Sequence, residues 1–282
     1  MTTMLQDGQA TVSTASDAQA LEAVRREIDR IDEEILSLLT ERFIAVEEVR
    51  RVKGLAASGL PPLRPSREAE VIRRLLALRR DPLPPEVLVS IWRELMGSAT
   101  QRQQKMTVHI PAPTFGDLAF YDLVRGYFGA QTPIAGHLTT EAAIAAVMES
   151  RSDLAVVPAR HKGWVEPLLR AADAPAVVAR IPVIGAPAGI EAFLVGYVPT
   201  VPTGLDETLV AVTAREDAEP WANPGLLREF WRERVTESQG GSLWLGVLDG
   251  WLDEHQASAA LKGETKSVIA VKVLGRYATP VR

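Results

Sequence analysis

The sequence predicts a multidomain chain, all-α in its first third and α/β to α+β beyond it, and three observations carry that reading. An apolar rhythm without Gly or Pro occupies residues 17–53. Short β-branched runs begin only at Thr107 and then alternate with helical stretches. Clusters of Gly and Pro interrupt the chain near residues 54–65, 81–85 and 199–204.

The first helix is expected from about Asp17 to Lys53. Leu21, Val24, Ile28, Ile31, Ile35 and Leu38 recur at steps of three and four, and the rhythm resumes at Ala45, Val49 and Val52. Gly54, Gly59, Pro61, Pro62 and Pro65 end it. Ser66 is the expected N-cap of a second helix reaching about Arg80. After Asp81-Pro82-Leu83-Pro84-Pro85 a third helix starts near Pro85, a residue suited to a first turn, and runs to about Gln104. Residues 107–200 then offer strands at Thr107–Ile110, Leu154–Val157, Val177–Ile181 and Phe193–Val198. Helices near Asp117–Tyr127, Glu141–Glu149 and Trp164–Ala171 separate them, so a mostly parallel sheet is expected. Residues 205–282 read strand (Thr208–Thr213), helix (Pro224–Arg232), strand (Leu243–Leu248), helix (Glu254–Leu261) and strand (Val268–Val273).

Composition narrows the function. With 282 residues, 46% hydrophobic and 24% charged, the chain has the make-up of a soluble globular protein. A net charge of −5 argues against a nucleic-acid surface, and no apolar run approaches the roughly 20 residues that span a bilayer. There is no cysteine, which rules out thiolate chemistry and suits a reducing compartment. Residues 1–17 are small and polar, read as a disordered tail rather than a signal peptide, and a cytoplasmic location is expected. His109, His137, His161 and His255 show no metal spacing, so neither metal nor cofactor is expected.

The chemistry concentrates on the helices. Arg42 stands in register with both apolar runs of the first helix, where a seam faces a partner helix. An unpaired charge there costs several kcal/mol, so Arg42 must meet an internal carboxylate or an anionic ligand. Arg42 and Lys53 lie about 16 Å apart along the axis and about 20° apart around it, and can converge on one small anion. Arg25 and Arg42, roughly 25 Å apart, cannot share a sugar-sized ligand within one chain. An antiparallel homodimer of the long helix covers its seam and brings Arg25 of one chain to Arg42 of the other. The second helix opens with Arg67-Glu68, and Leu95, Ala99 and Gln103 share a face of the third. Four cations, one carboxylate and one amide suit a small dianion with a hydroxyl and an ether or carbonyl oxygen. With no nucleophile in reach, catalysis would be electrostatic and conformational. The blander alternative places Arg25, Lys53 and Arg67 on a solvated face and satisfies Arg42 with an internal Glu.

Leu21-Glu-Ala-Val-Arg25-Arg-Glu-Ile-Asp-Arg-Ile-Asp32 through Arg42, with Lys53, Arg67-Glu68, Ile91-Trp92-Arg93-Glu94 and Gln103, closely resembles the all-helical chorismate mutases. The resemblance covers residues 18–104 and implies an intertwined three-helix homodimer that rearranges chorismate to prephenate. By position, Arg25 from the partner subunit, Arg42 and Arg67 would bind the two carboxylates. Lys53 and Gln103 would donate to the ether oxygen, and Glu68 would accept from the ring hydroxyl. Two positions depart from the family pattern: Arg64 stands where Asp is common, and Ala99 where Ser is frequent.

Residues 107–200 resemble a reduced prephenate dehydratase lobe through Asp153-Leu-Ala-Val-Val-Pro158, with Thr114-Phe115 at its glycine-rich loop. Where the catalytic Thr-Arg-Phe would fall stand Glu191-Ala192-Phe193, so no dehydratase activity is expected. Residues 205–282 resemble an amino-acid-binding ACT module. Pro224-Gly225-Leu226-Leu227, Glu237-Ser238-Gln239-Gly240 and Val271-Lys-Val-Leu-Gly275-Arg-Tyr277 carry that likeness, which implies an aromatic amino-acid effector. The rival readings are an isochorismate pyruvate lyase, and an idle aromatic amino-acid sensor that only dimerises through its helices.

Overall fold

A computed structural model describes residues 7–53, 60–111, 118–185, 190–215, 226–235, 241–264 and 267–281. The chain forms two units, residues 1–55 and residues 56–282.

The first unit is one helix, α1 (Asp7–Lys53), which begins earlier than the expected Asp17. Its sequence is dominated by good helix formers. Ion pairs at helical spacing line its surface: Arg25 with Glu22 at 3.8 Å, Arg30 with Glu27 at 2.6 Å and with Glu34, and Arg51 with Glu48 at 2.6 Å. Exposed pairs of this kind each add little, so burial of the apolar stripe must supply most of the stability. That stripe is exposed in the single chain: Leu21, Val24, Ile28, Ile31, Ile35 and Leu38 all remain accessible.

The second unit starts with α2 (Pro65–Leu78) and α3 (Pro85–Gln103), packed through Ile72, Leu88, Val89 and Met96. Proline opens both helices, where a missing N–H costs nothing. Ser66 does not cap α2. It lies inside the first turn, and its hydroxyl accepts from Val201 N at 3.1 Å instead.

The remaining elements alternate: β1 (Val108–Pro111), α4 (Leu118–Phe128), β2 (Ile134–His137), α5 (Thr140–Glu149), β3 (Leu154–Pro158), α6 (Val165–Arg170), β4 (Ala176–Ile181) and β5 (Ala192–Gly196). Then follow β6 (Asp206–Arg215), β7 (Arg228–Val235), β8 (Gly241–Asp249), α7 (Glu254–Glu264) and β9 (Val268–Ala278). Among the described residues, the nine strands join one sheet in the order β2-β1-β3-β5-β4-β9-β6-β8-β7.

Three sequence expectations fail here. The sheet over residues 107–200 is mixed, not mostly parallel. β1 pairs parallel with β2 and β3, whereas β5 inserts antiparallel between β3 and β4. A parallel neighbour needs a crossover, and the residues joining β4 to β5 hold Pro and Gly but no helical pattern. Strand β2 went unread because its Ile-Ala-Gly-His is short and carries one β-branched residue.

The third failure is the helix expected at Pro224–Arg232, where strand β7 stands. Leu227, Phe230 and Trp231 sit at i, i+3 and i+4 and are all buried, which imitates a helix face. A register shift between Glu229 and Trp231 lets Phe230 and Trp231, successive residues of the strand, both enter one core cluster, because a bulge turns two successive side chains the same way.

The largest core cluster runs along the sheet from β3 to β7. Val157 and Phe193 pack with Ile144 of α5, Trp164 at the start of α6, Phe230 of β7 and Tyr277 of β9 in one buried cluster. The other face is covered by α4 through Phe120, Val124 and Phe128. The two halves of the sheet meet where Val177 of β4 pairs with Gly275 of β9. A Cβ on Gly275 would stand 1.9 Å from the Val177 carbonyl oxygen, so only glycine allows this approach.

Candidate active site

On α1, Arg25 is exposed and paired loosely with Glu22 at 3.8 Å. Arg42 differs. It is half-buried, its Nη1 is buried with no hydrogen-bond partner, and burial lowers its pKa from the ordinary guanidinium value. A shift in that direction marks a charge without a compensating acid. The side chain of Lys53, at the C-terminal end of α1, lies outside the described residues.

On the second unit, helical geometry divides the Arg67-Glu68 pair. Pro65, Glu68 and Ile72 follow the inward face of α2, so Glu68 is buried. Arg67, one residue earlier, points to solvent and pairs with Glu70 at 3.1 Å. Glu68 does not stand alone: Arg93 of α3, only 3% exposed, donates from Nη1 to its Oε2 at 2.8 Å. Arg93 Nε donates to the Tyr127 carbonyl at 2.9 Å, and its guanidinium lies 3.5 Å from the centroid of the Tyr127 ring. Burial works against the Arg93 charge, but Tyr127 and Glu68 outweigh it and hold its pKa above the ordinary value. Burial also pushes the Tyr127 hydroxyl up to about 12.

This connection ties α2 and α3 to α4. The helices α3 and α4 can come that close because of Gly97, where a Cβ would meet the Phe128 carbonyl oxygen at 1.9 Å. Gln103 is half-buried on the α3 face that also carries Leu95 and buried Ala99, as its spacing requires. Arg64 is exposed and donates to the Leu63 carbonyl at 2.8 Å. Sequence reasoning assigned Arg93 to a motif without a role. Its signal was a cation on the face of α3 that also carries Val89 and Met96.

In the α/β part, Glu191 stands just before β5 and accepts from Arg180 at 2.6 Å, with buried Ala192 and Phe193 following it. Thr114-Phe115, Pro224-Gly225 and Glu237-Ser238-Gln239-Gly240 lie outside the described residues. One pair escaped the sequence entirely. His109 Nδ1 and His137 Nε2 are 2.8 Å apart, and His109 Nε2 is 3.5 Å from Asp153. Adjacent strands β1 and β2 create this contact, and β2 was not foreseen. Burial, and then the neighbouring His109, hold His137 below its ordinary pKa. Among the described residues no group of three or more His, Cys, Asp or Glu could hold a metal ion, and no helix is long and apolar enough to cross a membrane.

Residues 24–104 match the family model described as chorismate mutase type II, so this stretch of the chain is a domain of that class. The chain is also similar to the bifunctional chorismate mutase/prephenate dehydratase of Aquifex aeolicus. The two are 33% identical over 149 residues, which are 51% of this chain and 40% of that protein. The match thus spans less than half the length of that relative. Two solved structures overlap 62% of the chain at 15% identity and a TM-score of 0.42: GqqA, a novel type of quorum quenching acylase, and a prephenate dehydratase in complex with L-Phe from Arthrobacter aurescens. They cover 95% and 92% of those chains respectively. Likeness at that level sets no constraint on chemistry.

Proposed function

We propose that the protein is a homodimeric chorismate mutase whose α/β part has no dehydratase activity. The observation that carries the reading is Arg42, a half-buried guanidinium with a buried nitrogen that no acid among the described residues answers. A dianionic substrate supplies that partner. The reaction breaks one carbon–oxygen bond and forms one carbon–carbon bond within a single molecule, with no proton or leaving group to move. The protein therefore contributes by folding the substrate into its reactive shape and by meeting the charge that grows on the ether oxygen.

Arg42, Arg67 and Arg25 of the partner subunit hold the two carboxylates, for which a planar fork is better suited than a lysine. Lys53 and Gln103 meet the ether oxygen. Arg93 holds one oxygen of Glu68, and the other accepts from the ring hydroxyl. The dimer is supported by the exposed stripe of α1, which a second copy of that helix covers. Loss of dehydratase function is supported by Glu191, an acid tied to Arg180 where the family's motif would have Thr.

Incubation of the full chain with chorismate, isochorismate and prephenate in turn tests the reading. Prephenate is expected from chorismate, and no phenylpyruvate from prephenate. Arg42→Ala and Lys53→Ala are expected to slow turnover by roughly 10²–10³-fold or more, with the dimer unchanged on gel filtration. Salicylate and pyruvate from isochorismate would identify a lyase instead. No turnover of any of the three would leave a non-catalytic sensor.

A further inference from the structure

The match to the mutase family ends at residue 104, yet two side chains of α2 reach well past it. Ser66 accepts from Val201 N at 3.1 Å. Arg73 donates from Nη1 to Thr203 Oγ1 at 2.8 Å, and from Nη2 to the Leu205 and Thr279 carbonyls at 2.7 Å each. Thr279 is 206 residues away along the chain. Arg73 meets no carboxylate directly among the described residues. Its charge is answered at one remove, because the Thr203 hydroxyl that accepts from it donates to Asp206 Oδ1 at 2.7 Å. Asp206 is buried, and its Oδ2 accepts from the Thr203 and Gly204 amides at 2.8 and 3.0 Å. The acceptors are thus fixed by their own turn before Arg73 reaches them.

Ser66 and Arg73 are seven residues apart, which places them on one face of α2, about 10 Å apart along its axis. Glu68 lies roughly 140–160° around the axis from both, where Arg93 of α3 holds it at 2.8 Å. One line of contacts would let the helix pivot about it, but two lines on opposite faces do not. Val183 and Ile184, just after β4, add apolar packing against the α2–α3 core. A helix that carries a ligand-binding side chain needs such a grip. Side-chain tips stand about 5–6 Å from the helix axis, so a roll of about 10° displaces them by about 1 Å. Misplacement on that scale can cost on the order of 10²-fold in turnover.

We propose that Arg73 is a positioning residue of the mutase pocket: it touches no substrate, but with Ser66 it locks the roll of α2 against residues 201–205 and Thr279 and so aims Arg67. The α/β part thereby shapes substrate binding without entering the pocket. The inference rests on the mutase reading, because it takes Arg67 as a group that binds a substrate carboxylate.

Steady-state kinetics of the full chain with chorismate test it. Arg73→Met is expected to raise KM roughly tenfold while kcat stays within about twofold, since Lys53 and Gln103, which act on the breaking bond, lie on other helices. Thr203→Val, which removes the relay hydroxyl, is expected to shift KM in the same direction by less. A double-mutant cycle separates aiming from general loosening: in an Arg67→Ala background, Arg73→Met is expected to add less than about twofold to KM, because the side chain it aims is already gone. Two results overturn the proposal alone, given a parent that converts chorismate. One is an Arg73→Met protein with the parent's KM, and the other is an Arg73 effect undiminished without Arg67. A parent that leaves chorismate untouched overturns the mutase reading and takes this inference with it. If Arg73→Met melts early, Thr203→Val is put through the same cycle and held to the same outcomes.

Discussion

A guanidinium that is 3% exposed has to be held by its neighbours, and Arg93 is held by three: the Glu68 carboxylate, the Tyr127 carbonyl and the Tyr127 ring. Removing one member of a buried pair strands the other charge, at a cost of roughly 3–5 kcal/mol. Arg93→Met should therefore destabilise the chain by about that amount, read as a lower urea midpoint at an unchanged slope. The double variant Arg93→Met/Glu68→Gln should recover part of the loss, because no unanswered charge remains. An Arg93→Met protein as stable as the parent would mean that the pair carries no such weight. Arg93→Lys separates charge from geometry. It keeps the cation but cannot reach both Glu68 and the Tyr127 carbonyl with one fork, so its stability should fall between the two. If Glu68 accepts from the substrate, the same lysine variant should raise KM more than it lowers kcat. The sequence showed Glu68 as a ligand-facing acid and left Arg93 unexplained, since nothing along the chain says that Tyr127 of α4 lies beside α3.

Single elements were legible where one period dominates them. The helices α1, α2 and α3 follow from 3.6-residue spacing and proline placement, and most strands from β-branched runs. β7 was not, because Phe230 and Trp231 are both buried across its register shift and, with buried Leu227 just before the strand, imitate a helix face. The pairing of β4 with β9 was equally hidden, since it joins Val177 to Gly275 across a long stretch of chain. Gly275→Ala places a methyl group against the Val177 carbonyl, a backbone atom that can move only with its strand. Overpacking of this kind costs about 1–3 kcal/mol or more, so a clear fall in the denaturant midpoint is expected. Unchanged stability would show that the strands part without cost. The β1–β2 contact gives a pH signature. Burial and His109 hold His137 below its ordinary pKa, so the folded protein binds fewer protons there than the unfolded chain. Its contribution is intact above the unfolded value of about 6.5, fades as pH falls through it, and is lost below the folded value. His137→Asn should flatten the stability difference between pH 8 and pH 5.5, measured by urea unfolding. An identical difference in parent and variant would assign the acid sensitivity elsewhere.

At the scale of the molecule, the long helix decides what the protein is. An isolated amphipathic helix owes little stability to propensity, and α1 leaves Leu21, Val24, Ile28, Ile31, Ile35 and Leu38 accessible along one stripe. A contiguous apolar patch of that length on a monomer marks an interaction surface. The sequence made the stripe plain, because its spacing needs no knowledge of the rest of the chain, but a single chain cannot show what covers it. In the proposed homodimer a second α1 would do so with matching chemistry: in an antiparallel pair each apolar stripe would meet its own kind, and Arg25 of one chain would approach Arg42 of the other. Stability should then depend on protein concentration, since association favours the folded state by mass action. Ile28→Asp/Ile35→Asp puts two carboxylates per chain into that seam. On the proposed reading, sedimentation velocity should show dimer for the parent and monomer for the variant, and chorismate turnover should fall with it, because each pocket would lose the arginine its neighbour supplies. Titrating the parent downward in concentration should reproduce both changes without any mutation. A dimer that survives the double substitution would move the interface off α1. A parent that is monomeric and fully active would remove the need for a shared pocket altogether.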